Sequence, residues 1–328
     1  MNKYHLCQSL PDVSELCFGV APMCSLMSKV SEEEGAQLIL SGLEQGINFL
    51  DTTAQMYHPY SRIKRALDQF SGEVVLSVRT TAPDRKVMSK AIEDARQALD
   101  RDYIDLMMLH INKSTENLIK DKAEAFTGLL EAKSKGWIRA IGISTHSVKL
   151  LQQALEVEFI DVLNPALNSF GLGILDGQLP DLLQVLQNGH VAGKGSYAMK
   201  TLAGGRLAAH SRESLNFIRG IPEISSLAIG MLTPDELKSN LHLFESSRPQ
   251  PLNPEVRPTP ETSLELTFPR DRTLKRFSNF CKGCGICINN CPAEAMTLRE
   301  GKVHVDEEKC LRCGYCASVC PQFALRLD

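Results

Sequence analysis

The sequence predicts an α/β chain in two parts, a (β/α)8 barrel followed by a small α+β domain. Three observations carry this reading. From Leu16 to Phe244, short β-branched or apolar runs alternate with amphipathic stretches. Residues 246–262 carry five prolines among polar residues. Eight cysteines fall in the last 48 positions, in two copies of one pattern.

Taken in order, the predicted strands span 16–21, 48–53, 74–80, 104–110, 138–144, 160–167, 196–201 and 226–231. Helices are predicted near 32–45, 61–69, 87–100, 123–135, 147–156, 179–188, 212–219 and 234–245. Short continuous apolar runs suit strands buried on both faces, and three-to-four-residue periodicity suits helices laid against them. Eight such pairs in about 250 residues is the pattern of the (β/α)8, or TIM, barrel. An open doubly wound sheet would carry G-x-G-x-x-G after its first strand; that loop reads Gly19-Val20-Ala21-Pro22-Met23-Cys24. The prolines favour an extended, semi-rigid linker. The expected boundaries are therefore 1–245 for the barrel, 246–262 for the linker and 263–328 for the small domain.

Apolar content of 43% and charged content of 23% are ordinary for a globular protein. A formal charge of −3 gives no reason to expect nucleic acid or anionic membrane as a partner. The opening MNKYHLCQSLPDVSEL has no long apolar region, and no run of about 18 apolar residues occurs. Abundant thiols fit a reducing compartment, so a cytoplasmic location is expected. Of the cysteines outside the tail, Cys17 reads as a small buried hydrophobe, while Cys24, with Cys7 the remaining pair, follows the first strand toward the barrel mouth.

The tail reads Cys281-x2-Cys284-x2-Cys287-x3-Cys291-Pro292, then Cys310-x2-Cys313-x2-Cys316-x3-Cys320-Pro321. The copies lie 29 residues apart, with Ala295 and Leu298 recurring as Ala324 and Leu327. This spacing resembles the bacterial ferredoxin signature, which implies a ferredoxin-like domain with two [4Fe–4S] clusters. In that arrangement the last cysteine of each motif crosses to the other cluster. Cys281, Cys284, Cys287 and Cys320 then hold one, and Cys310, Cys313, Cys316 and Cys291 the other. A zinc ribbon or a disulfide framework would seldom use three cysteines at x2 intervals.

Catalytic groups in (β/α)8 barrels stand at the C-terminal ends of the strands. Here those positions give Asp51, Arg79 and His110, with Tyr57 in the loop after Asp51. A phenol near a cation and an imidazole is a sensible general acid for carbonyl reduction.

These residues, with Gly46-Ile47-Asn48-Phe49-Leu50-Asp51-Thr52-Thr53-Ala54, Tyr103-Ile104-Asp105-Leu106-Met107-Met108-Leu109-His110, Gly136-Trp137-Ile138-Arg139-Ala140-Ile141-Gly142-Ile143-Ser144 and Met199-Lys200-Thr201-Leu202-Ala203-Gly204-Gly205, resemble the aldo/keto reductases. The resemblance covers nearly all of the first 245 residues and points to the subgroup fused to a C-terminal ferredoxin module. It implies a catalytic set of Asp, Tyr, Lys and His. Asp51 and His110 match; Tyr57 stands one residue later than the pattern, with Tyr60 a weaker candidate; and Arg79 replaces the Lys. An arginine stays protonated, so it polarises but relays protons poorly. For a nicotinamide the resemblance implies Ser144 and Thr145, Asn164, and Met199 in place of a stacking aromatic. The capping box expected from Thr233 and Glu236 opens the last barrel helix. No Lys or Arg lies between Ser225 and Leu237 to grip an NADP phosphate, leaving Lys200 and Arg206 as the cations available to an anionic cofactor or substrate.

The function read from the sequence is an iron–sulfur oxidoreductase that exchanges electrons between its clusters and a carbonyl-type substrate, in either direction. An NAD(P)H-dependent reductase with an accessory Fe–S module is the alternative, and a non-catalytic electron-transfer or sensor protein with a degenerate barrel the third. NAD(P)H is weakly supported; a flavin would couple one- and two-electron steps, but no motif argues for one. The basic residues Arg270, Arg272, Lys275, Arg276 and Lys282 flank the first cysteine motif, where a ferredoxin- or flavodoxin-type redox partner could dock.

Overall fold

The computed structural model describes residues 1–24, 28–54, 59–111, 117–205, 207–250, 273–291, 293–310, 312, 315–318, 320, 322 and 324–327. A two-stranded antiparallel hairpin, β1 (Lys3–Tyr4) and β2 (Val13–Ser14), precedes the barrel. The barrel strands are β3 (Leu16–Gly19), β4 (Phe49–Thr53), β5 (Val75–Thr80), β6 (Ile104–Ile111), β7 (Ile138–Thr145), β8 (Val162–Pro165), β9 (Gly195–Ala198) and β10 (Ser226–Gly230). All pair in parallel with their sequence neighbours, and β10 returns to β3 to close the ring.

The helices that follow are α1 (Glu32–Glu44), α2 (Tyr60–Leu67), α3 (Arg85–Ala98), α4 (Leu118–Asp121) and α5 (Ala123–Ser134). After them come α6 (Val148–Leu155), α7 (Leu179–Val191), α8 (Ser211–Arg219) and α9 (Pro234–Glu245). Their starts are written in local chemistry. The Ser31 hydroxyl accepts from Glu34 N–H while the Glu34 carboxylate accepts from Ser31 N–H, and Asp84, Ser147 and Thr233 cap α3, α6 and α9. At α9 the expected reciprocal bond is shifted by one residue: Glu236 accepts from Leu232 N–H at 2.6 Å, not from Thr233. Among the described residues no helix is long and apolar enough to cross a membrane.

Side chains alternate between the two faces of each strand. Leu76, Val78, Met107, Leu109, Ile141 and Ile143 face the helices in the main core. The opposite set, including Phe49, Val75, Leu106, Met108 and Tyr197, fills the lumen with Leu6, Leu10 and Val13 from the N-terminal segment. This segment plugs the floor, and sequence reading did not foresee it. Gly195 is required there, because a Cβ would run into the Leu6 backbone carbonyl. Gly142 leaves lumen space that Met108 occupies.

The floor also carries an ion cluster. Glu15, fully buried, accepts from Arg219 Nε and from Arg248 Nε, each at 2.9 Å. Arg248 further donates to the Ile224 and Ser225 carbonyls and lies 3.7 Å over the Tyr4 ring. The first residues of the expected linker are thus fastened to the barrel; from 251 onward that segment lies outside the described residues.

In the C-terminal unit, β11 (Leu274–Arg276) pairs antiparallel with β14 (Leu325–Leu327), and β12 (Met296–Arg299) with β13 (Lys302–Val305). Two short helices, α10 (Ile286–Asn289) and α11 (Tyr315–Ser318), complete it. Shifting by the 29-residue repeat carries α10 onto α11 and β12 onto β14. Its core mixes cysteines with Leu274, Met296, Val303, Val305 and Leu325.

Candidate functional site

The lumen-facing alternation sets one group of polar side chains at the mouth: Asp51 on β4, Ser77 and Arg79 on β5, His110 on β6, Ser144 on β7, Asn164 on β8 and Tyr197 on β9. All are buried. Arg79 Nη2 pairs with Asp51 Oδ1, and Tyr197 donates to Asp51 Oδ2 at 2.7 Å. Ser77 lies 2.9 Å from the same phenol oxygen. Burial first, then the neighbouring Asp51 carboxylate, pushes the Tyr197 phenol well above its ordinary pKa, so it remains a neutral donor. The other Arg79 terminal nitrogen, Nη1, meets Met199 Sδ at 3.2 Å.

A second chain of hydrogen bonds fixes the histidine. The Asn164 amide nitrogen donates to the Tyr197 carbonyl at 2.8 Å, and a carbonyl can only accept. That orientation turns Asn164 Oδ1 toward Ser144, whose hydroxyl donates to it at 2.8 Å. The Ser144 oxygen, 2.9 Å from His110 Nδ1, then receives the Nδ1 proton. In the neutral ring the lone pair therefore sits on Nε2.

The same chain runs through two of the residues expected to hold a nicotinamide carboxamide. Ser144 and Asn164 bond each other, and both ends of the Asn164 amide are engaged. Thr145 Oγ1 donates to the Ile111 carbonyl and accepts from Ser147 N–H, tying β6 to β7. None of the three side chains is exposed.

Tyr57 and Arg206 lie outside the described residues. Tyr60, the weaker phenol candidate, is a core residue at the start of α2; it is buried among Ile39 and Ile63, which drives its pKa strongly upward. Lys200 is half-buried beyond β9, in the left-handed backbone region at φ 58°. Sequence reasoning missed two members of the site, Tyr197 and His146. Tyr197 was findable as the lumen position two residues before Met199. His146, whose ring centroid is 6.4 Å from that of His110, donates from Nδ1 to the Gly173 carbonyl at 2.8 Å. Burial, aided by the Lys200 charge, lowers its pKa to about 3.

In the C-terminal unit, Cys281, Cys284, Cys287 and Cys320 line one small open cavity, with Leu298 and Val303. No disulfide joins these four. Among the described residues no three Cys, His, Asp or Glu side chains have the spacing for a single metal ion. Burial, then the neighbouring Cys320, Cys284 and Cys281, raises the Cys287 thiol to about 11. A bound metal centre would supply the positive charge that holds such a thiol as a thiolate. Backbone N–H groups already point at the sulfurs: Ala324 to Cys320 at 3.3 Å, Val303 to Cys281 at 3.4 Å and, in the repeat, Ala295 to Cys291 at 3.3 Å. The cavity, the spread of thiols and the N–H donors fit a cubane. Of the four cysteines expected to hold the other cluster, Cys291, Cys310 and Cys316 are buried, and Cys313 lies outside the described residues.

Residues 15–254 match the aldo/keto reductase family, and residues 280–324 match the 4Fe-4S dicluster domain. An aldo-keto reductase of Mycolicibacterium paratuberculosis is 30% identical over 135 residues, 40% of this chain and 46% of that protein. The chain thus spans about half the length of that relative. An aldo-keto reductase of Mycolicibacterium vanbaalenii is 25% identical over 67% of this chain and 81% of its own length. A methylglyoxal reductase of Escherichia coli is 28% identical over 39% of this chain and 46% of its own. Among solved structures, the holo form of an aldo-keto reductase from Bacillus halodurans superposes with a TM-score of 0.62 at 22% identity, covering 78% of this chain and 94% of that one.

Proposed function

The chain belongs to the aldo/keto reductase family, and from that membership we propose that it exchanges electrons between two [4Fe–4S] clusters and a carbonyl-type organic substrate at the barrel mouth. It is an oxidoreductase with a 4Fe-4S dicluster domain. When bound, the clusters supply or accept single electrons. Reducing a carbonyl to an alcohol takes two electrons and two protons, and this chain's residues are suited to handling the protons.

Arg79, held by Asp51, contributes a fixed positive charge that favours a developing alkoxide. His110, oriented through Nδ1 by Ser144, holds or takes a proton at Nε2. Tyr57 is the candidate phenol for the second proton. The observation that carries this reading is the closed chain from the Tyr197 carbonyl through Asn164 and Ser144 to His110. It fixes the Nδ1 proton of His110 and so supports proton handling at Nε2. The proposed ligands are Cys281, Cys284, Cys287 and Cys320 for one cluster, and Cys310, Cys313, Cys316 and Cys291 for the other. A reducing compartment such as the cytoplasm suits them.

The test is anaerobic turnover of carbonyl substrates with reduced viologen as the sole electron source. The expected result is viologen-supported turnover that disappears in Cys281→Ser/Cys310→Ser. Strict dependence on NADPH, undiminished in that variant, would defeat the reading. The second reading, an NAD(P)H-linked reductase with an accessory Fe–S module, draws on the retained Asp51–cation pair and His110. Calorimetric titration with NADPH separates the two.

A further inference from the structure

The two halves of the duplicated unit differ most in the segment leading into each motif. Phe277-Ser278-Asn279-Phe280 precedes Cys281, and Asp306-Glu307-Glu308-Lys309 occupies the same repeat positions before Cys310. Every one of these eight residues is exposed. On the first side Phe277 is 39% and Phe280 57% exposed, with Ile286 at 39% and Leu298 at 43%. These four are among the few large apolar side chains the described chain presents to solvent, and Leu298 lines the first cavity itself. Cys284, one of the four cavity thiols, is also exposed.

The aromatic turn is ordered by the fold. Phe277 N–H donates to the Ala324 carbonyl at 2.9 Å, Phe280 N–H donates to the Phe277 carbonyl at 3.0 Å, and the rings lie 6.1 Å apart. Lys275, Arg276 and Lys282 flank it in sequence, all exposed, and residues 273–291 contain no Asp or Glu. Exposed aromatic side chains flanked by basic residues mark a candidate protein-docking site, with the exposed Glu300, in the turn against Gly283, at its Leu298 edge.

We propose that the exposed Phe277/Phe280 pair, flanked by Lys275, Arg276 and Lys282, docks a small acidic electron-carrier protein, with Ile286 and Leu298 of the same motif as further apolar contacts. The charge pattern selects both partner and entry point. An acidic carrier is drawn to the cavity of the first motif and repelled from the approach to Cys310 by Asp306, Glu307 and Glu308. The apolar centre excludes water between the carrier's redox group and the Cys284 edge. Each encounter transfers one electron: the carrier is oxidised by one and the cluster pair reduced by one, so two encounters supply one carbonyl reduction. This rests on the proposed function only in taking the clusters to exchange electrons.

The experiment uses the intact protein with both clusters loaded under anaerobic conditions, and an acidic plant-type ferredoxin as the probe. Stopped-flow absorbance follows cluster reduction by the reduced ferredoxin and, separately, by a small uncharged deazaflavin radical. Calorimetry measures ferredoxin binding. For the unaltered protein, binding and ferredoxin-driven reduction should weaken by about tenfold or more as salt rises from about 20 mM to about 500 mM. Lys275→Glu/Lys282→Glu should slow the ferredoxin reaction by about tenfold or more at low salt and leave the deazaflavin rate unchanged. Lys275→Glu/Arg276→Glu serves if substitution beside Cys281 impairs cluster loading. Phe277→Ser/Phe280→Ser should weaken binding by a similar factor, and Glu307→Lys/Glu308→Lys should not slow the reaction. Ferredoxin rates untouched by the basic and aromatic variants, or slowed equally with both reductants, would overturn the proposal. So would an oligomer that the Phe variants dissociate with no change in rate, since a second copy would then occupy the surface. No barrel substrate is present, so failure here leaves the viologen test of the barrel chemistry untouched.

Discussion

Asp51 and Arg79 face each other with side chains only 4% and 10% exposed. Removing one partner of such a pair leaves a buried charge uncompensated. Arg79→Met is therefore expected to destabilise the barrel by about 3–5 kcal/mol, seen as a lowered thermal transition in circular dichroism, whereas Arg79→Lys retains most of the stability. The Ser144 hydroxyl acts at one remove, by holding the His110 proton on Nδ1. Ser144→Ala should lower kcat by roughly ten- to a hundredfold, displace the pH profile of kcat and leave KM nearly unchanged. A shift in KM alone would mean that Ser144 binds substrate directly. His146 supplies a pH signature of stability. Its folded pKa, about 3, lies below the ordinary 6.5. Between those values the unfolded chain binds the extra proton, so stability is fully present above about pH 6.5. It is lost on acidification by up to about 1.4 kcal/mol per pH unit, levelling off below about pH 3. Denaturant midpoints between pH 7 and 4 should fall more steeply for the wild type than for His146→Gln.

At the scale of elements, β7 was legible as the short, largely apolar run from Ile138 to Ser144. Their place at the C-terminal ends of predicted strands made Asp51, Arg79 and His110 readable as candidates. Sequence pattern could not reveal that Asn164 uses both ends of its amide internally, because that depends on the β8–β9 register and on the backbone carbonyl of Tyr197. Nor could it find β1 and β2, which are two residues each, too short to carry a period. Their place is set by long-range packing of Leu6, Leu10 and Val13 into the lumen floor. Gly195 tests that packing. A methyl group there meets the Leu6 carbonyl, which is backbone and cannot rotate aside. Gly195→Ala is expected to dislodge the N-terminal plug, read as faster hydrogen exchange over residues 1–14 while α5 and β7 keep their protection. Unchanged exchange in that segment would mean that the plug adjusts without leaving the floor.

For the whole molecule, the decisive relation is between the floor, where the barrel chain leaves, and the mouth, where the candidate chemistry stands. Arg248 is bonded to Glu15 and to the Ile224 and Ser225 carbonyls, all at the N-terminal ends of strands, while Asp51, Arg79 and His110 stand at the other ends. For the clusters to serve the mouth, the expected linker beyond Arg248 must be long enough to climb the flank of the barrel. α9, with 12 residues, covers about 18 Å of that height at 1.5 Å per residue. The proline-rich sequence 251–262, if extended, reaches about 37 Å at 3.1 Å per residue, enough for the climb and for a sideways path around a helix. Deleting about half of it leaves roughly 19 Å, little more than the vertical distance. A chain shortened between 251 and 262 should therefore keep its cluster absorbance and its rate of reduction by ferredoxin, yet lose about tenfold or more of viologen-supported turnover. Replacing the deleted residues with a Gly/Ser segment of equal length should restore much of that turnover, because reach rather than sequence is what the path demands. If the shortened chain turns over at the full rate, electrons reach the mouth by a route that does not require the cluster unit to travel there.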